Sequence, residues 1–251
     1  MSTNTIYRRE RFLTGSPLQQ VKADFSRLTQ VVTAPRAAFD SVARRPKFLL
    51  PLSLCMATAF AANYAVVERI GVGPVVAANL KSHPRASAIV AVVERHSVLS
   101  GLVLSANAAV MTALTVLAVA ALLAVMLKIT MEASWRKVFS AVAHAMFGYF
   151  LVSGVLTALV VLLRPDFDGF DLNNPVATNL ALFIDGRTAN PFLYHLAASA
   201  DVLSFWLLFL LATGLSAVVP RLTPRASFLT VAAPWALYVL CKGGVALLQA
   251  G

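Results

Sequence analysis

The sequence predicts an all-α, polytopic integral membrane protein with five transmembrane helices, a cytoplasmic N-terminus and a C-terminus outside. Three observations lead to this fold class. First, 59% of the 251 residues are hydrophobic and 13% are charged, with a mean hydropathy of +0.76, whereas soluble domains are about 45–50% apolar and about 25% charged. Second, five apolar runs are long enough to cross about 30 Å of hydrocarbon. Third, lysine and arginine are unevenly divided among the links between these runs.

Residues 1–47 form a basic cytoplasmic leader ahead of a membrane domain at 48–251. Apolar residues recur at helical spacing from Pro17 to Ala43, and Pro35 is placed to start a second short helix. We expect these amphipathic helices to lie on the membrane surface; the alternative is that they pack on the protein's own cytoplasmic face. The charged leader is too long for a cleavable signal peptide, so we expect the first span to be retained.

The five predicted spans follow in order through the rest of the chain. They cover approximately residues 48–67, 98–127, 139–163, 193–219 and 228–249. Roughly 20 helical residues suffice to cross the hydrocarbon, so we expect the longer second and fourth spans to tilt or to project beyond the bilayer. Pro234 is expected to kink the fifth span.

The distribution of basic residues predicts the orientation. Fourteen lysines and arginines lie in the leader and in the links at 128–137 and 220–227, against six in the loops at 68–97 and 164–192. The positive-inside rule therefore places the leader in the cytoplasm.

Three stretches at or near the starts of inside-to-outside spans share the pattern Arg-x-x-Phe-x-x-Val-Ala. Its Arg and Phe pairs are Arg36 with Phe39, Arg136 with Phe139, and Arg225 with Phe228. An arginine at headgroup level with a phenylalanine one turn deeper is suited to anchoring a helix in an anionic leaflet. A parallel repeat of span pairs would also produce the pattern; we favour convergent anchoring.

Polar residues in the outer half of the predicted spans form the candidate site. An ionisable group at the bilayer centre costs at least about 2.5 kcal/mol, so Asp201 in the fourth span and Lys242 in the fifth are notable. At about 1.5 Å per residue, both are expected roughly 10 Å below the outer surface on consecutive antiparallel helices. We interpret them as an ion pair that fixes the packing of these spans. The alternative is a polar groove that holds a lipid headgroup or conducts ions. The set also contains Tyr238, Ser204, Asn107 and Asn63.

Catalytic and nucleic-acid-binding functions find little support in the sequence. It contains no serine elbow, no His-Glu-x-x-His and no glycine-rich phosphate loop, and Cys55 and Cys241 form no Cys-x-x-Cys pair. We therefore predict no enzyme, no cofactor and no metal site. The net charge of +10 is better explained by topology and anionic lipid than by nucleic acid, since the basic residues flank apolar runs.

Four ordered motifs carry a family resemblance. They are TAPRAAFDSVARRPKFLLP, WRKVFSAVAHA, NNPVATNLALF and DVLSFWLLFLLATGLSAV. Over most of residues 33–249 the chain resembles the Yip (Ypt-interacting protein) domain family. Positions that match the family's pattern are Asp201, Ser204, Trp206 and Gly214, together with Pro234, Trp235 and Lys242 in the fifth span.

The resemblance implies a five-span fold without enzymatic activity, with a cytoplasmic N-terminus and a lumenal or periplasmic C-terminus. Eukaryotic members act in Golgi and endoplasmic-reticulum trafficking, with Rab GTPases and one another as partners. The short basic leader and the long 68–97 loop depart from the eukaryotic type, and the Ala- and Val-rich composition is typical of a bacterial chain. We therefore expect a protein of the bacterial inner (plasma) membrane, or of an endomembrane if the chain is eukaryotic, that does not bind Rab.

Two functions are compatible with these features. The first is a non-catalytic scaffold or accessory subunit that works in the lipid bilayer. Its partners would be other membrane or envelope proteins, such as an export system, or further copies of the chain in a homo-oligomer; nucleic acid is not expected. The alternative is a small transporter or lipid-translocating protein that uses a polar groove around Asp201 and Lys242.

Overall fold

The computed structural model describes residues 17–80, 84–131, 133–167, 170–172, 175–176, 178–184 and 189–250. Residues 1–16 of the predicted leader lie outside this description. Across the described ranges the structure is all-helical and contains no β-strand, which confirms the predicted fold class.

Ten α-helices and one 3-10 helix follow in chain order within the described ranges. The α-helices are α1 Pro17–Thr33, α2 Pro35–Arg44, α3 Leu49–Ile70, α4 Val72–Asn79, α5 Ala86–Arg95, α6 Ser97–Met131, α7 Trp135–Leu163, α8 Pro191–Ser199, α9 Val202–Val218 and α10 Pro224–Ala250. The 3-10 helix is Leu180–Phe183.

Four of these helices, α3, α6, α7 and α10, are long and apolar enough to cross a membrane. The chain is therefore a polytopic membrane protein. With 35 residues, α6 is about 52 Å long and exceeds the hydrocarbon thickness, as the length of the second predicted span indicated.

The fourth predicted span, residues 193–219, is not one helix. It is divided into α8 and α9, and α9 has 17 residues, the lower limit for a spanning helix. The prediction of one continuous span was wrong, because a stretch that is apolar on both sides of Asp201 gives no signal of a break in a hydropathy profile.

Helix α7 is the centre of the bundle. It packs against α3, α6 and α9, and every residue from Val138 to Gly148 is buried. Two glycines of α7 allow close helix contacts. A β-carbon at Gly154 would lie 2.8 Å from the Thr58 methyl of α3, and one at Gly148 would lie 2.9 Å from Val31 of α1. Small residues bring helices together in this way inside membranes.

The N-terminal helices belong to the same packed core. Phe39 and Val42 of α2 are fully buried, as is Val31 of α1. The Phe39 ring lies against Gly214 of α9, and α2 also packs against α7. The expectation that the amphipathic helices rest on lipid is therefore corrected for α2. Its apolar face is covered by protein, and the glycine at position 214 leaves room for the Phe39 ring.

A buried arginine ties α1 to α2. The Arg27 side chain is only 5% exposed, and its Nε donates to Ser41 Oγ at 3.0 Å. Its guanidinium also donates to the carbonyl of Arg45, the C-cap residue of α2, at 3.2 Å. Burial lowers the pKa of Arg27 and nearby Asp24 opposes this shift, yet a guanidinium stays protonated in proteins. Asp24 also pairs with Lys47 at 2.8 Å, so one charged network fastens α1 to the start of α3.

Interhelical contacts identify two ends of the bundle. At one end, where α3, α7 and α10 begin, Ser140 Oγ donates to the Lys47 carbonyl at 2.8 Å and Ser227 Oγ donates to the Ala212 carbonyl at 2.6 Å. We call this the basic end, because the described residues there include one half-buried lysine, Lys137, and eight exposed basic residues: Arg36, Arg44, Arg45, Lys47, Lys128, Arg136, Arg221 and Arg225.

At the opposite end, α4 packs against α3, α5 and α6. Val66, Val72 and Val161 belong to a separate apolar cluster there. The Arg69 guanidinium donates to the Arg164 carbonyl at 3.3 Å.

Candidate functional site

The predicted polar cluster is dispersed in the structure, and Asp201 has a local structural role. Asp201 is the N-cap of α9, where its Oδ2 accepts from the backbone N–H of Ser204 at 3.1 Å and from the Ser204 hydroxyl at 3.2 Å. A carboxylate at this position satisfies a free N–H of the first turn and offsets the positive end of the helix dipole.

The loop before α8 completes the surroundings of Asp201. The Thr178 hydroxyl donates to Asp201 Oδ1, and the backbone N–H of Val202 donates to the Thr178 carbonyl at 3.4 Å. Tyr149 of α7 interacts electrostatically with the carboxylate. Asp201 is therefore held by hydroxyl and amide donors where the chain leaves α8 and starts α9.

Lys242 lies elsewhere, on an exposed face of α10. It lines a cavity of about 350 Å³ together with His195, Tyr238 and Cys241, and it interacts electrostatically with His195. Within the described residues the ion pairs join Asp24 to Arg27 and to Lys47, and none joins Asp201 to Lys242. The predicted ion pair is thus not formed, because Asp201 faces the Thr178 loop while Lys242 faces α8.

The two asparagines are also separate from Asp201. Asn63 of α3 is half-buried, and its Oδ1 accepts from Ser105 Oγ of α6 at 3.3 Å. Asn107 is exposed on α6. Of the predicted polar set, the structure brings together Asp201 with Ser204 and Lys242 with Tyr238.

The three Arg-x-x-Phe pairs have different environments. Phe39 is fully buried and Phe139 is 6% exposed, and Phe139 packs edge-on against Phe48 with the ring centroids 4.8 Å apart. These two phenylalanines are core residues and not lipid anchors. Phe228 is 43% exposed, so lipid anchoring stays a prediction at this position. Of the three arginines in this pattern, Arg136 is exposed and lines no cavity described here.

The other two arginines, Arg36 and Arg225, line one large cavity at the basic end. We call it the basic groove; its volume is about 1170 Å³. Its walls are the first turns of α2 and α10, and its floor is α9. The lining residues are Ala34, Pro35, Arg36, Ala37, Asp40, Phe209, Ala212, Thr213, Ser216, Ala217, Leu222, Pro224, Arg225, Phe228 and Leu229.

Small side chains on α9 create the floor of the basic groove. Ala212, Thr213, Ser216 and Ala217 line the groove, and this spacing places them on one helix face. The Thr213 hydroxyl donates to the Phe209 carbonyl at 2.8 Å, and the Ser216 hydroxyl donates to the Thr213 carbonyl at 3.0 Å. Both hydroxyls are therefore satisfied within their own helix, which leaves an apolar floor.

The charged groups of the basic groove are concentrated at its mouth. Arg36, Asp40 and Arg225 are all exposed, which gives two positive charges against one negative charge. The N-terminus of α2 adds to this potential, since Ala34 provides no side-chain cap and the first N–H groups of a helix carry partial positive charge.

Sequence reasoning identified Arg36, Arg225 and Phe228 but not the groove that they share. The four small residues of α9 indicated either that another helix approaches α9 closely or that a cavity lies beside it. The Asp201-x-x-Ser204 spacing before an apolar run was likewise a visible signal of a helix start. Among the described residues, no group of three or more His, Cys, Asp or Glu side chains could hold a metal ion.

Comparison with known proteins places this architecture in a family context. The family model of the Yip1 domain matches residues 29–243. No curated protein and no solved structure gives a significant match. The matched range starts within α1 and ends within α10, so it includes Arg36, Arg225 and the whole floor of the basic groove.

Proposed function

Because the chain belongs to the Yip1 domain family, as its motifs predicted, we propose that it is a non-catalytic membrane scaffold, an accessory subunit of a membrane or envelope assembly. Its place would be the inner membrane of a bacterium, with the basic end in the cytoplasm. Its partners would be other membrane or envelope proteins, for example components of an export system.

The observation that carries this proposal is the incorporation of α1 and α2 into the bundle. Phe39 is fully buried and lies against Gly214 of α9, and Arg27 fastens α1 to the end of α2. The exposed basic residues of these helices therefore sit on a fixed surface rather than on a tethered arm. A preorganised surface loses less conformational freedom when a partner binds, which suits a scaffold.

The transport alternative loses the feature on which it depended. It required Asp201 and Lys242 to share a polar groove, but Asp201 caps α9 and Lys242 lies against His195. Asn63 is bonded to Ser105. These groups are dispersed over separate local contacts, so the predicted groove does not favour flux over a scaffold role.

Site-specific photo-crosslinking in cells tests the scaffold role. A photoreactive amino acid replaces Arg136 or Lys137 at the basic end, or, as the matched control, Arg95 at the opposite end; Arg136 and Arg95 are exposed and Lys137 is half-buried. We expect one defined membrane-protein adduct from positions 136 and 137 and none from position 95. The adduct should disappear when Arg44 is changed to glutamate and the chain still folds.

Reconstitution of the purified chain in vesicles tests the transport alternative directly. The purified chain in sealed vesicles is expected to leave lipid scrambling and ion flux at the level of empty vesicles. A flux that the wild type produces and Asp201→Asn with Lys242→Met removes would refute the scaffold proposal and support transport. An adduct of the chain with itself would identify a homo-oligomeric scaffold.

A further inference from the structure

The basic groove combines properties that a single class of ligand would match. Its mouth carries Arg36 and Arg225, its floor is apolar, and it opens beside helices that span the membrane. We propose that the basic groove binds one anionic phospholipid from the adjoining leaflet, with the lipid phosphate at the two arginines and an acyl chain of the lipid along α9. This binding site does not depend on the scaffold role.

The depth of the groove agrees with a lipid. Phe209 lies nine residues before Val218, the last residue of α9, which corresponds to about 14 Å along the helix. Half of the hydrocarbon layer is about 15 Å thick. The groove floor therefore extends over roughly the depth of one leaflet, from the headgroup level to the bilayer middle.

The lateral side of the groove is apolar and exposed. Phe209 at the end of the α9 floor is 51% exposed, and in the α10 wall Phe228 is 43% exposed and Leu229 is 66% exposed. A lipid tail can enter between these side chains without crossing polar surface. A soluble anion gains nothing from this wall, and a peptide would find few free hydrogen-bonding groups on a floor whose Thr213 and Ser216 hydroxyls are already bonded.

Charge selects the type of headgroup. Neither Arg36 nor Arg225 takes part in an ion pair within the described residues, so both guanidiniums are available for a phosphate, which arginine recognises with paired hydrogen bonds. Because Asp40 offsets one of the two arginines, the lining residues carry a net charge of one positive unit. An anionic headgroup is therefore favoured over a zwitterionic one, whose ammonium would meet two arginines.

Native mass spectrometry of the full chain tests the site. The protein is extracted from vesicles of phosphatidylglycerol and phosphatidylcholine in equal amounts, and retained lipid is counted. We expect one phosphatidylglycerol per chain. Arg36→Gln with Arg225→Gln should lower this occupancy at least about tenfold, since it removes two charge-assisted contacts. The matched control, Arg136→Gln with Lys137→Gln, removes the same charge from the same end outside the groove lining and should change occupancy less than about twofold.

A second variant separates lipid from free phosphate. Ser216→Phe fills the floor but keeps both arginines, so it should also abolish lipid retention. Photoactivatable phosphatidylglycerol should label residues 209–217 of the wild type, which tests the site even if Ser216→Phe does not fold. Millimolar inorganic phosphate should not displace the lipid.

Each contrary result overturns the proposal. These results are equal losses in the groove and control variants, retention of phosphatidylcholine at the same level, displacement by inorganic phosphate, or labelling confined to other helices. A photoreactive residue at position 213 that crosslinks to protein instead of lipid would likewise overturn it, by identifying a chain segment as the occupant.

Discussion

The contact between Phe39 and Gly214 allows a quantitative test of how firmly α2 belongs to the bundle. A β-carbon at position 214 would lie 2.9 Å from Cε1 and 3.1 Å from Cδ1 of Phe39, and 3.3 Å from Cβ of Ala141. Ordinary van der Waals contact begins at about 3.4 Å. Because Phe39 is fully buried, its ring has no open space into which it could move. We expect Gly214→Ala to force α2 away from α9.

The magnitude follows from the cost of overpacking. Inserting a methyl group into a packed core typically costs about 1–3 kcal/mol, whereas alanine gains about 1 kcal/mol over glycine in a helix. Gly244 is the matched control, since a β-carbon there meets no atom within 4 Å. The free energy of unfolding of Gly214→Ala should therefore lie about 1–3 kcal/mol below that of Gly244→Ala, which is roughly a 5- to 150-fold shift in the unfolding equilibrium.

Titration with SDS in mixed micelles, followed by circular dichroism, measures this difference. Phe39→Leu removes part of the ring and should rescue Gly214→Ala, so the two changes together should cost less than the sum of the single changes. Equal stability of Gly214→Ala and Gly244→Ala, together with additive effects at positions 39 and 214, would refute the packing of α2 against α9.

Three further predictions use the same titration. Arg27→Met should lower the free energy of unfolding by about 1.5–3 kcal/mol, because it removes charge-assisted bonds to the end of α2. The control Arg44→Met, at an exposed position, should stay within about 0.5 kcal/mol of wild type. Equal effects of the two changes would argue against a stabilising contact between Arg27 and α2. Asp201→Ala should cost about 0.5–2 kcal/mol of unfolding free energy and Asp201→Asn almost nothing, as expected for an N-cap. The coupling free energy between Asp201→Asn and Lys242→Met should be below about 0.5 kcal/mol. A larger coupling would show that the two residues form an ion pair after all. Ser227→Ala should cost about 0.6–1.7 kcal/mol through loss of its bond to α9, and an unchanged midpoint would exclude that bond.

The fold class could be predicted from the sequence because it depends on sums over many residues. The apolar runs that became α3, α6, α7 and α10 are evident in any hydropathy profile. The break before α9 depends on one side chain, Asp201, whose capping role competes with its interpretation as a buried charge. A charge in an apolar run indicates both possibilities, and only the bonds from Ser204 and Thr178 to the carboxylate distinguish them.

The site was only partly predictable for a different reason. Arg36 and Arg225 were selected from a shared local pattern, but their meeting at one cavity depends on how α2, α9 and α10 pack. The pattern was also assigned one role at all three positions, whereas Phe39 and Phe139 are buried by neighbouring helices and Phe228 is not. Equal sequence around a phenylalanine does not specify what packs against it, since that depends on residues more than a hundred positions away, such as Gly214 for Phe39.

The enclosure of Phe39 by α9 has a consequence for the order of events during synthesis. Gly214 follows Phe39 by 175 positions in the chain, so at about 5–20 residues per second the ribosome reaches it roughly 10–35 s later. Throughout this interval the apolar face of α2 lacks its binding surface on α9, although its own residues have already left the ribosome. The N-terminal helices therefore cannot complete their docking until α9 has been made, and a nascent chain that stops before α9 would leave Phe39 open to chaperones or to the membrane surface.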